Sequence, residues 1–215
     1  MRLYTYFRSS AAYRVRIALA YKNIAYESLP VRLLGKDGDQ HASIYLQRNP
    51  QGLVPACDIG DTVLAQSLAI MEYLEEIRPT PALLPRDPVA RAQVRAMALN
   101  IACDIHPLNN LRVLEYLRGP LAQPDTAVRA WYGHWIATGF HGLEQLARRH
   151  STQSRHLFGD SVTLADVCLV PQMVNARRFH CDVTPYPTLV AIDAHLATHP
   201  AFTASHPDLQ PDAQA

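Results

Sequence analysis

Two serines at the start of a predicted helix are the residues of this sequence best placed for chemistry. The segment Arg8-Ser9-Ser10-Ala11-Ala12 separates a strand pattern from a helical one, so Ser9 and Ser10 stand at the helix entrance. The first turn of a helix has N–H groups without intrahelical partners, and the peptide dipoles add partial positive charge there. A thiolate or carboxylate is stabilised at such a position. Serine is also a preferred N-cap, so the segment alone leaves both roles open.

A second predicted helix begins in a similar way. Gln66 and Ser67 directly follow a strand pattern and precede apolar residues at helical spacing. This helix entrance suits a carboxylate for the same electrostatic reason. Taken alone, a cap and its neighbour is the ordinary explanation of such a pair.

Composition favours a small-molecule function. The 215 residues are 48% hydrophobic, which is enough to bury a sizeable core in one large domain or two small ones. With 20 basic and 19 acidic residues, the net charge of +1 gives no electrostatic reason to expect nucleic acid or an anionic membrane. No segment approaches the roughly 20 apolar residues of a membrane helix, and the amino terminus has no long apolar run. We therefore expect a cytoplasmic protein.

Cysteine and histidine spacing does not predict a metal site. The pairs Cys103 with His106 and His195 with His199 each lack a third ligand, whereas zinc needs three or four. The cysteines are not closely paired in sequence, so we expect free thiols. They are Cys57, Cys103, Cys168 and Cys181.

The first 77 residues alternate between strand and helix patterns. Alternating apolar residues predict strands, and apolar residues at helical spacing predict helices. The resulting order is strand, helix, strand, short irregular helix, hairpin and helix. The predicted strands are 2–7, 26–31, 54–59 and 62–65, and the helices are 13–22 and 66–77, with the short one inside 35–48.

A proline-rich linker separates this α/β region from a helical one. Pro79, Pro81 and Pro85 cannot lie within a continuing helix, so we place a domain boundary here, between domains 1–80 and 86–215. The second domain is predicted to be all-α, and its tail from residue 208 is predicted to be mobile. A capping box at residues 163–166 is predicted to start one helix. The predicted helices are 90–117, 127–149, 164–178 and 189–198.

Several of these segments occur together, in the same order, in one known family. The pattern Ser-Ser-x-x-aromatic-Arg-Val-Arg at residues 9–16, the run 49–57 and the segment 63–74 resemble the zeta class of glutathione transferases. Residues 104–112, 163–166 and 182–187 extend the resemblance over nearly the whole chain. The resemblance implies a thioredoxin-like glutathione-binding domain with Pro55 in the cis form, an all-helical substrate-binding domain, and a homodimer.

The resemblance also implies how the first domain would bind glutathione. Ser9 would donate to the cofactor's sulfur, supported by Ser10 and by the amides of Ala11 and Ala12. A free thiol has a pKa of about 8.5, so a donor at a helix terminus increases the thiolate fraction at neutral pH. The family often has cysteine where this chain has Ala11, which argues against a nucleophile on the protein itself.

The other glutathione contacts come from segments further along the chain. By resemblance, Gln66 and Ser67 would hold the γ-glutamyl end, and Val54, just before Pro55, the cysteinyl backbone. The remaining contacts implied are Gln40 at the glycine end and, in the helical domain, His106 and Asn110.

The substrate that the resemblance implies is a cis-enedioic keto acid with two carboxylates. Arginine binds a carboxylate with two parallel hydrogen bonds, so Arg8, Arg112 and Arg178 are the candidate substrate contacts, with Asn110 beside them. Arg14 and Arg16 are weaker candidates because they lie inside the first helix. Arg177 adjoins Arg178, and the sequence does not say which of them turns inward.

The function implied is glutathione-dependent isomerisation of maleylacetoacetate to fumarylacetoacetate, with Ser9, Ser10 and Arg8 as the catalytic groups. Donors near Arg8 would stabilise the enolate that develops. Maleylpyruvate is the alternative substrate. A non-catalytic interaction module with this fold is the alternative of a different class, and a general detoxifying transferase or peroxidase is a third.

Overall fold

The structure is a computed structural model that describes residues 1–33 and 38–213. Its contacts divide the chain into two compact units. The first unit contains Met1–Ala82 together with the carboxyl-terminal segment that begins at His199, and the second unit is Leu83–Thr198. The change of unit after Ala82 falls in the proline-rich linker. The segment from His199 onward differs from the sequence interpretation, which placed it in the helical domain.

The first unit is built on a mixed sheet of strands β1 (Arg2–Thr5), β2 (Glu27–Pro30), β3 (Ala56–Asp58) and β4 (Val63–Ala65). The strand order is β2-β1-β3-β4, with β1 parallel to β2 and antiparallel to β3, and β3 antiparallel to β4. Helices α1 (Ser10–Tyr21), α2 (Ser43–Leu46) and α3 (Ser67–Ile77) complete the α/β order, with a 3-10 turn at Asp39–His41. The predicted thioredoxin-like arrangement is confirmed. Of the predicted short helix, residues 35–37 lie outside the described residues.

Buried charges as well as apolar contacts hold this unit together. Leu3, Ile17 and Ile70 are fully buried. The Lys22 ammonium is also buried, and it forms an ion pair of 2.6 Å with Glu75 while donating to the carbonyls of Arg78 and Pro81. A buried ammonium that uses its donors in this way fixes α1, α3 and the start of the linker to one another.

The second unit is all-α, as predicted, but one predicted helix is broken. Its helices are α4 (Pro88–Leu99), α5 (Leu111–Arg118), α6 (Asp125–His150), α7 (Leu164–Arg178) and α8 (Pro187–Leu196). A continuous helix over 90–117 was wrong, because a π-helical segment, Asn100–Ile105, follows α4. The amide of His106 donates to the carbonyl of Ile101, five residues earlier, whereas an α-helix uses the carbonyl four residues earlier. Pro107 has no N–H with which to continue the helix.

Gly139 of α6 allows the π-helical segment to pack closely. A Cβ atom at this position would overlap the side chain of Ile105. We expect Gly139→Ala to lower the free energy of unfolding by about 1 to 3 kcal/mol, since Ile105 or the backbone must move. Urea unfolding of the purified protein measures the change. The matched control is Gly142→Ala in the same helix, where an added Cβ atom would meet no atom of another element within 4 Å. A similar loss of stability there would contradict the packing explanation.

The predicted capping box at the start of α7 is confirmed. The Asp166 carboxylate is fully buried and accepts hydrogen bonds from the Leu157 amide at 2.7 Å and from the Thr163 amide and hydroxyl at 2.7 and 2.8 Å. Burial raises the pKa of Asp166 to about 6, against the effect of these donors. The carboxyl group is therefore easier to protonate in the folded chain than in the unfolded one.

This pKa shift predicts a pH-dependent contribution to stability. A carboxyl group whose pKa is raised on folding stabilises the fold below its unfolded value of about 3.9, and this contribution is lost as the pH rises through the folded value. We expect Asp166→Asn to leave one buried donor unpaired, at a cost of about 1 to 3 kcal/mol at pH 7, and to cost more at pH 4. Urea unfolding at both pH values measures the difference. The control is Asp182→Asn. Hydrogen bonds from Thr184 lower the pKa of that exposed carboxyl, so this substitution should cost less stability at pH 4 than at pH 7.

The tail was predicted to be mobile, and for residues 208–213 that was wrong. Helix α9 (Pro200–Ala204) and two 3-10 turns, Pro207–Leu209 and Pro211–Ala213, pack in the first unit. Helix α9 contacts α1, and the Tyr13 hydroxyl donates to the Phe202 carbonyl at 3.3 Å.

The four cysteines are free thiols, as expected; Cys57 and Cys168 are buried, and Cys103 is exposed. The His199 ring nitrogen accepts from the Ala201 amide and so caps α9. Within residues 1–33 and 38–213, no three His, Cys, Asp or Glu side chains are grouped as metal ligands would be. No helix in the same ranges is long and apolar enough to cross a membrane.

Candidate functional site

The amino terminus of α1 has the Ser9 hydroxyl at its cap. Ser9 has extended backbone angles, and its Oγ accepts the Ala12 amide at 3.2 Å. The capping role is therefore confirmed, but it does not exclude the other role, because a hydroxyl that accepts one bond still has its own hydrogen to donate. The Ala12 amide, which was expected to face an anion, donates to this hydroxyl in the cap.

Burial distinguishes the neighbouring residues at this terminus. Ser10 is the first residue of α1 and has 4% of its surface exposed, whereas Ser9 and Ala11 are half-buried. A ligand reaches a half-buried hydroxyl more readily than a buried one. The structure therefore favours Ser9 over Ser10 as the group that touches a bound anion.

The second helix terminus is at α3, where the backbone is strained. Gln66 has φ 69° and ψ 121°, a positive φ that costs a non-glycine residue about 1 to 3 kcal/mol. Its side-chain amide donates to the Gln51 side chain at 2.9 Å, which joins α3 to the loop before Pro55. Strain of this kind persists where the surrounding structure holds it, often at binding sites.

Arg14 connects the two helix termini. Its guanidinium is 1% exposed and donates to the Ser67 hydroxyl at 3.3 Å. Ser67 is the first residue of α3 and is itself buried. The first unit therefore joins the start of α3 to the helix that begins beside Ser9. Arg14 is part of the packed interior and not a surface cation, in keeping with its ranking as a weaker substrate contact.

The Val54–Pro55 peptide bond is cis, as the resemblance implied. Val54 is buried, and the carbonyl of its neighbour Leu53 accepts hydrogen bonds from the Tyr45 hydroxyl at 2.5 Å and the Asn49 side chain at 2.7 Å. Sequence reasoning missed Tyr45 and Asn49 as groups that shape this loop. Asn49 lies in the run 49–57, but its type alone does not reveal which carbonyl it binds.

Gln40 has a buried acceptor available for a ligand. The residue is 7% exposed, and its Oε1 accepts no hydrogen bond from the described residues. Gly38 lies so close that a Cβ atom there would overlap the Gln40 carboxamide. A buried amide oxygen without a donor is costly, so this position suits a ligand with a peptide N–H.

In the second unit, the turn after the π-helical segment is fastened to α6. The Asn109 side chain donates to the Tyr132 carbonyl at 3.1 Å, and the Trp131 indole donates to the Leu108 carbonyl at 2.8 Å. Sequence reasoning missed Trp131 and this role of Asn109. His106, half-buried, begins this turn.

Asn110 and Arg112 follow at the start of α5. The Asn110 side chain caps the helix by accepting the Arg112 amide at 3.2 Å. Arg112 itself is exposed, so its guanidinium is accessible to a charged ligand.

The structure distinguishes Arg177 from Arg178. Arg177 forms a 2.5 Å ion pair with Asp193, which is buried. The Arg178 guanidinium lies 5.0 Å above the centroid of the Phe179 ring, and that ring stacks on Tyr132 at 3.8 Å. Arg177 is therefore already engaged by Asp193, and Arg178 is exposed beside this aromatic pair.

Arg8 is exposed and lies over an aromatic ring. Its guanidinium is 4.9 Å from the centroid of Phe7, and that ring meets Tyr6 edge-on at 4.9 Å. The candidate residues divide between the two units. The first unit holds Arg8, Ser9, Ser10, Ala11, Gln40, Val54, Pro55, Gln66 and Ser67, and the second holds His106, Asn110, Arg112 and Arg178.

A thioredoxin-like sheet with anion-binding helix termini, followed by a helical unit, is the architecture of the glutathione transferases. Residues 1–76 match the family model described as "Glutathione S-transferase, N-terminal domain". The chain is 50% identical to a Vibrio cholerae protein named "Probable maleylacetoacetate isomerase", over 98% of this chain and 97% of the relative. It is 49% identical to a Ralstonia protein named "Maleylpyruvate isomerase", over 99% of both chains.

Similar solved structures indicate which class of glutathione S-transferase this chain resembles. A maleylpyruvate isomerase described as a bacterial glutathione S-transferase in the zeta class has a TM-score of 0.95 at 48% identity, with 99% of both chains covered. A maleylacetoacetate isomerase from Methylobacterium extorquens AM1, solved with bound malonate and GSH, has a TM-score of 0.92 at 40% identity, with 98% of both chains covered. The chain belongs to the zeta class of the glutathione S-transferase family.

Proposed function

We propose that the protein is a glutathione-dependent cis–trans isomerase that converts maleylacetoacetate to fumarylacetoacetate in aromatic amino acid degradation. The observation that carries the proposal is the pair of helix N-termini in the first unit, connected by the Arg14–Ser67 hydrogen bond. One terminus has the Ser9 hydroxyl beside it, which suits a thiolate, and the other suits a carboxylate. The near-full-length similarity to proteins named as isomerases supports this function.

The groups of the first unit fit the parts of glutathione. Gln66 and Ser67 would hold the γ-glutamyl carboxylate, and the backbone of Val54 beside Pro55 would pair with the cysteinyl residue. The buried Gln40 oxygen, which accepts no hydrogen bond within residues 1–33 and 38–213, would accept the glycyl N–H. We assign the remaining glutathione contacts to His106 and Asn110 of the second unit, on the family resemblance.

When bound, glutathione would supply a thiol that adds reversibly to the cis double bond and so permits rotation. The Ser9 hydroxyl, which accepts the Ala12 amide, would donate its own hydrogen to the sulfur and lower the thiol pKa. The Ala11 amide would add a second donor at the helix terminus, and Ser10 would support the local structure. No protein thiol takes part in this scheme, because alanine occupies position 11.

Arginines would bind the two carboxylates of the substrate. Arg8, Arg112 and Arg178 are exposed, whereas Arg14 and Arg16 are 1% exposed. A guanidinium both neutralises and orients a carboxylate through paired hydrogen bonds. Arg8, next to the catalytic serine, would also stabilise the negative charge that develops on the keto acid.

Maleylpyruvate is the second candidate substrate, favoured by the relative of that name at 49% identity. The chemistry is the same and the substrate is shorter. The arginines that we assign to carboxylates suit either compound.

An assay of both keto acids, with and without glutathione, tests the proposal. We expect isomerisation that requires glutathione, with a higher kcat/KM for maleylacetoacetate than for maleylpyruvate. A higher kcat/KM for maleylpyruvate would make maleylpyruvate the preferred substrate. Glutathione binding without turnover would favour the non-catalytic module, and conjugation of a general electrophile without isomerisation would favour a detoxifying transferase.

We further propose a cytoplasmic homodimer, on the resemblance to the family. Light scattering coupled to size-exclusion chromatography measures the mass, which is 24.0 kDa for one chain. A single-chain mass at assay concentration would contradict the dimer.

A further inference from the structure

The carboxyl-terminal segment, residues 199–213, is bonded to the loop that carries the candidate catalytic groups. We call residues 6–9 the serine loop. The Asp212 carboxylate accepts the backbone amide of Phe7 at 2.9 Å, across 205 positions of sequence. Both partners belong to the first unit. Asp212, which lies in the part of this segment that was predicted to be a mobile tail, therefore contacts the residue immediately before Arg8.

A buried arginine makes a second connection between the segment and the loop. Arg16 is 1% exposed, and its Nε donates to the Ser205 carbonyl at 3.4 Å. Its Nη1 donates to the Thr5 hydroxyl at 3.0 Å and the Tyr6 carbonyl at 3.4 Å, while Nη2 donates to the Phe7 carbonyl at 3.2 Å. One rigid guanidinium thus holds the end of β1, the serine loop and the carboxyl-terminal segment in one arrangement.

These contacts hold Phe7 at both of its backbone polar groups. Asp212 binds the N–H and Arg16 the carbonyl. The Tyr6 carbonyl, which Arg16 also contacts, accepts the Ser9 amide at 2.9 Å. The Phe7 ring lies under the Arg8 guanidinium. Displacement of Phe7 would therefore move both the Ser9 hydroxyl and the Arg8 guanidinium.

Charge supports the same arrangement. Burial lowers the pKa of Arg16 to about 10, and the negative charges of Tyr26, when it ionises, and of Asp212 oppose that decrease. The carboxyl-terminal segment thus supplies an acidic group that stabilises the buried guanidinium as well as an acceptor for the loop.

We propose that Asp212 is a positioning residue for the active site, and that the carboxyl-terminal segment acts through Phe7 and Arg16 to hold Ser9 and Arg8 in their binding geometry. The inference rests on the proposed function for its effect on turnover. The contact itself does not depend on that function, so the two can fail separately.

The test compares Asp212→Ala, Asp212→Asn and Asp208→Ala in the full chain. Asparagine keeps an oxygen that can accept the Phe7 amide, whereas alanine removes it. Asp208 is the matched control, because it lies in the same segment and is exposed, with its carboxylate 3.6 Å from the His206 ring nitrogen. Arg16 variants are less suitable because the buried guanidinium makes several bonds whose loss risks the fold.

Three measurements are made on each variant. Hydrogen exchange of the Phe7 amide reports the contact directly. The ultraviolet absorbance of the thiolate, followed against pH with bound glutathione, reports the thiol pKa. The kcat/KM for the cis keto acid, followed against pH, reports turnover.

For Asp212→Ala, we expect Phe7 exchange to accelerate roughly threefold to tenfold and kcat/KM to fall by a similar factor, since a net hydrogen bond is being lost. We expect the thiol pKa to rise because Ser9 loses its position. Asp212→Asn is expected to restore most of all three values, and Asp208→Ala to leave them unchanged.

The outcomes that overturn the inference are distinct. An unchanged exchange rate of the Phe7 amide in Asp212→Ala would show that Asp212 does not hold this amide in solution. Faster exchange with unchanged thiol pKa and kcat/KM would make the segment structural only. A lower thiol pKa in both Asp212 variants would show that the carboxylate acts by its charge and not by positioning. A wild-type protein that ionises bound glutathione but isomerises neither keto acid would overturn the proposed function, while the thiol pKa would still decide this inference. Failure to bind glutathione would overturn both.

Discussion

Ser9→Ala is expected to lower kcat at neutral pH by roughly tenfold to a hundredfold, with part of the rate restored as the pH rises. A hydrogen bond to a charged group contributes about 1.5 to 3 kcal/mol, and its loss raises the thiol pKa of bound glutathione. Glutathione affinity should change little, because the γ-glutamyl and glycyl ends bind elsewhere. The pH dependence of kcat and the thiolate absorbance of the bound cofactor measure the effect.

Ser9 also caps α1, so the controls must separate the two roles. Loss of the cap is expected to cost about 1 kcal/mol of stability, whereas glycine at an N-cap costs a few tenths. Ser9→Gly should therefore lose activity as Ser9→Ala does while keeping more stability, and Ser9→Thr should be milder in both. Asp87→Ala removes the cap of α4, where the side chain accepts the Ala90 amide, and should lower stability alone. An unchanged thiol pKa in Ser9→Ala would transfer the activating role to the Ala11 amide or to Ser10.

Neutralising Arg8, Arg112 or Arg178 is expected to lower kcat/KM for the keto acid by roughly tenfold to over a hundredfold. Each Arg→Met variant removes a charge-assisted hydrogen bond of about 1.5 to 3 kcal/mol while keeping a side chain of similar length. Glutathione affinity should change far less, because these residues are assigned to substrate carboxylates. Steady-state kinetics with maleylacetoacetate and maleylpyruvate, together with calorimetric titration of glutathione, separate the two effects.

Arg118→Met is the matched control for this series. Arg118 lies at the end of α5, and its side chain is 44% exposed in an ion pair with Asp125. Surface pairs of this kind contribute about 0 to 1 kcal/mol, so both kinetics and stability should stay near wild type. If all three active-site variants keep wild-type kcat/KM on both substrates, or lose only glutathione affinity, the proposal of a dicarboxylate isomerase is wrong. A general transferase would then be the better proposal.

Local sequence signals predicted much of the fold. Helix α7 begins and ends at the predicted residues, since the capping box of Thr163 and Asp166 acts within one helical turn. The strand and helix order of the first unit was predicted for the same reason, because periodicity depends on near neighbours. The break after α4 was not predicted. There Ile105 packs closely against Gly139 of α6, a contact between residues distant in sequence that leaves no local pattern.

The candidate site shows the same division between near and distant contacts. Residue types and family spacing identified Ser9, Gln66 and Ser67, since each stands at a helix start that the sequence itself defines. The accessibility of Ser10, the use of the Ala12 amide in capping and the pairing of Arg177 with Asp193 depend on contacts that have no local signature.

The sequence by itself determined the order of elements, the two helix termini and the residue types placed there, because these follow from periodicity, capping and proline positions. Tertiary structure alone decided that Arg16 is buried against backbone carbonyls and that Asp212 reaches Phe7. Partners separated by 205 positions leave no periodic pattern in the chain. Their contact exists because α9 packs on α1 and brings the segment after it to the first unit. The burial of apolar surface that drives such packing is non-directional, so it does not specify which polar groups come together.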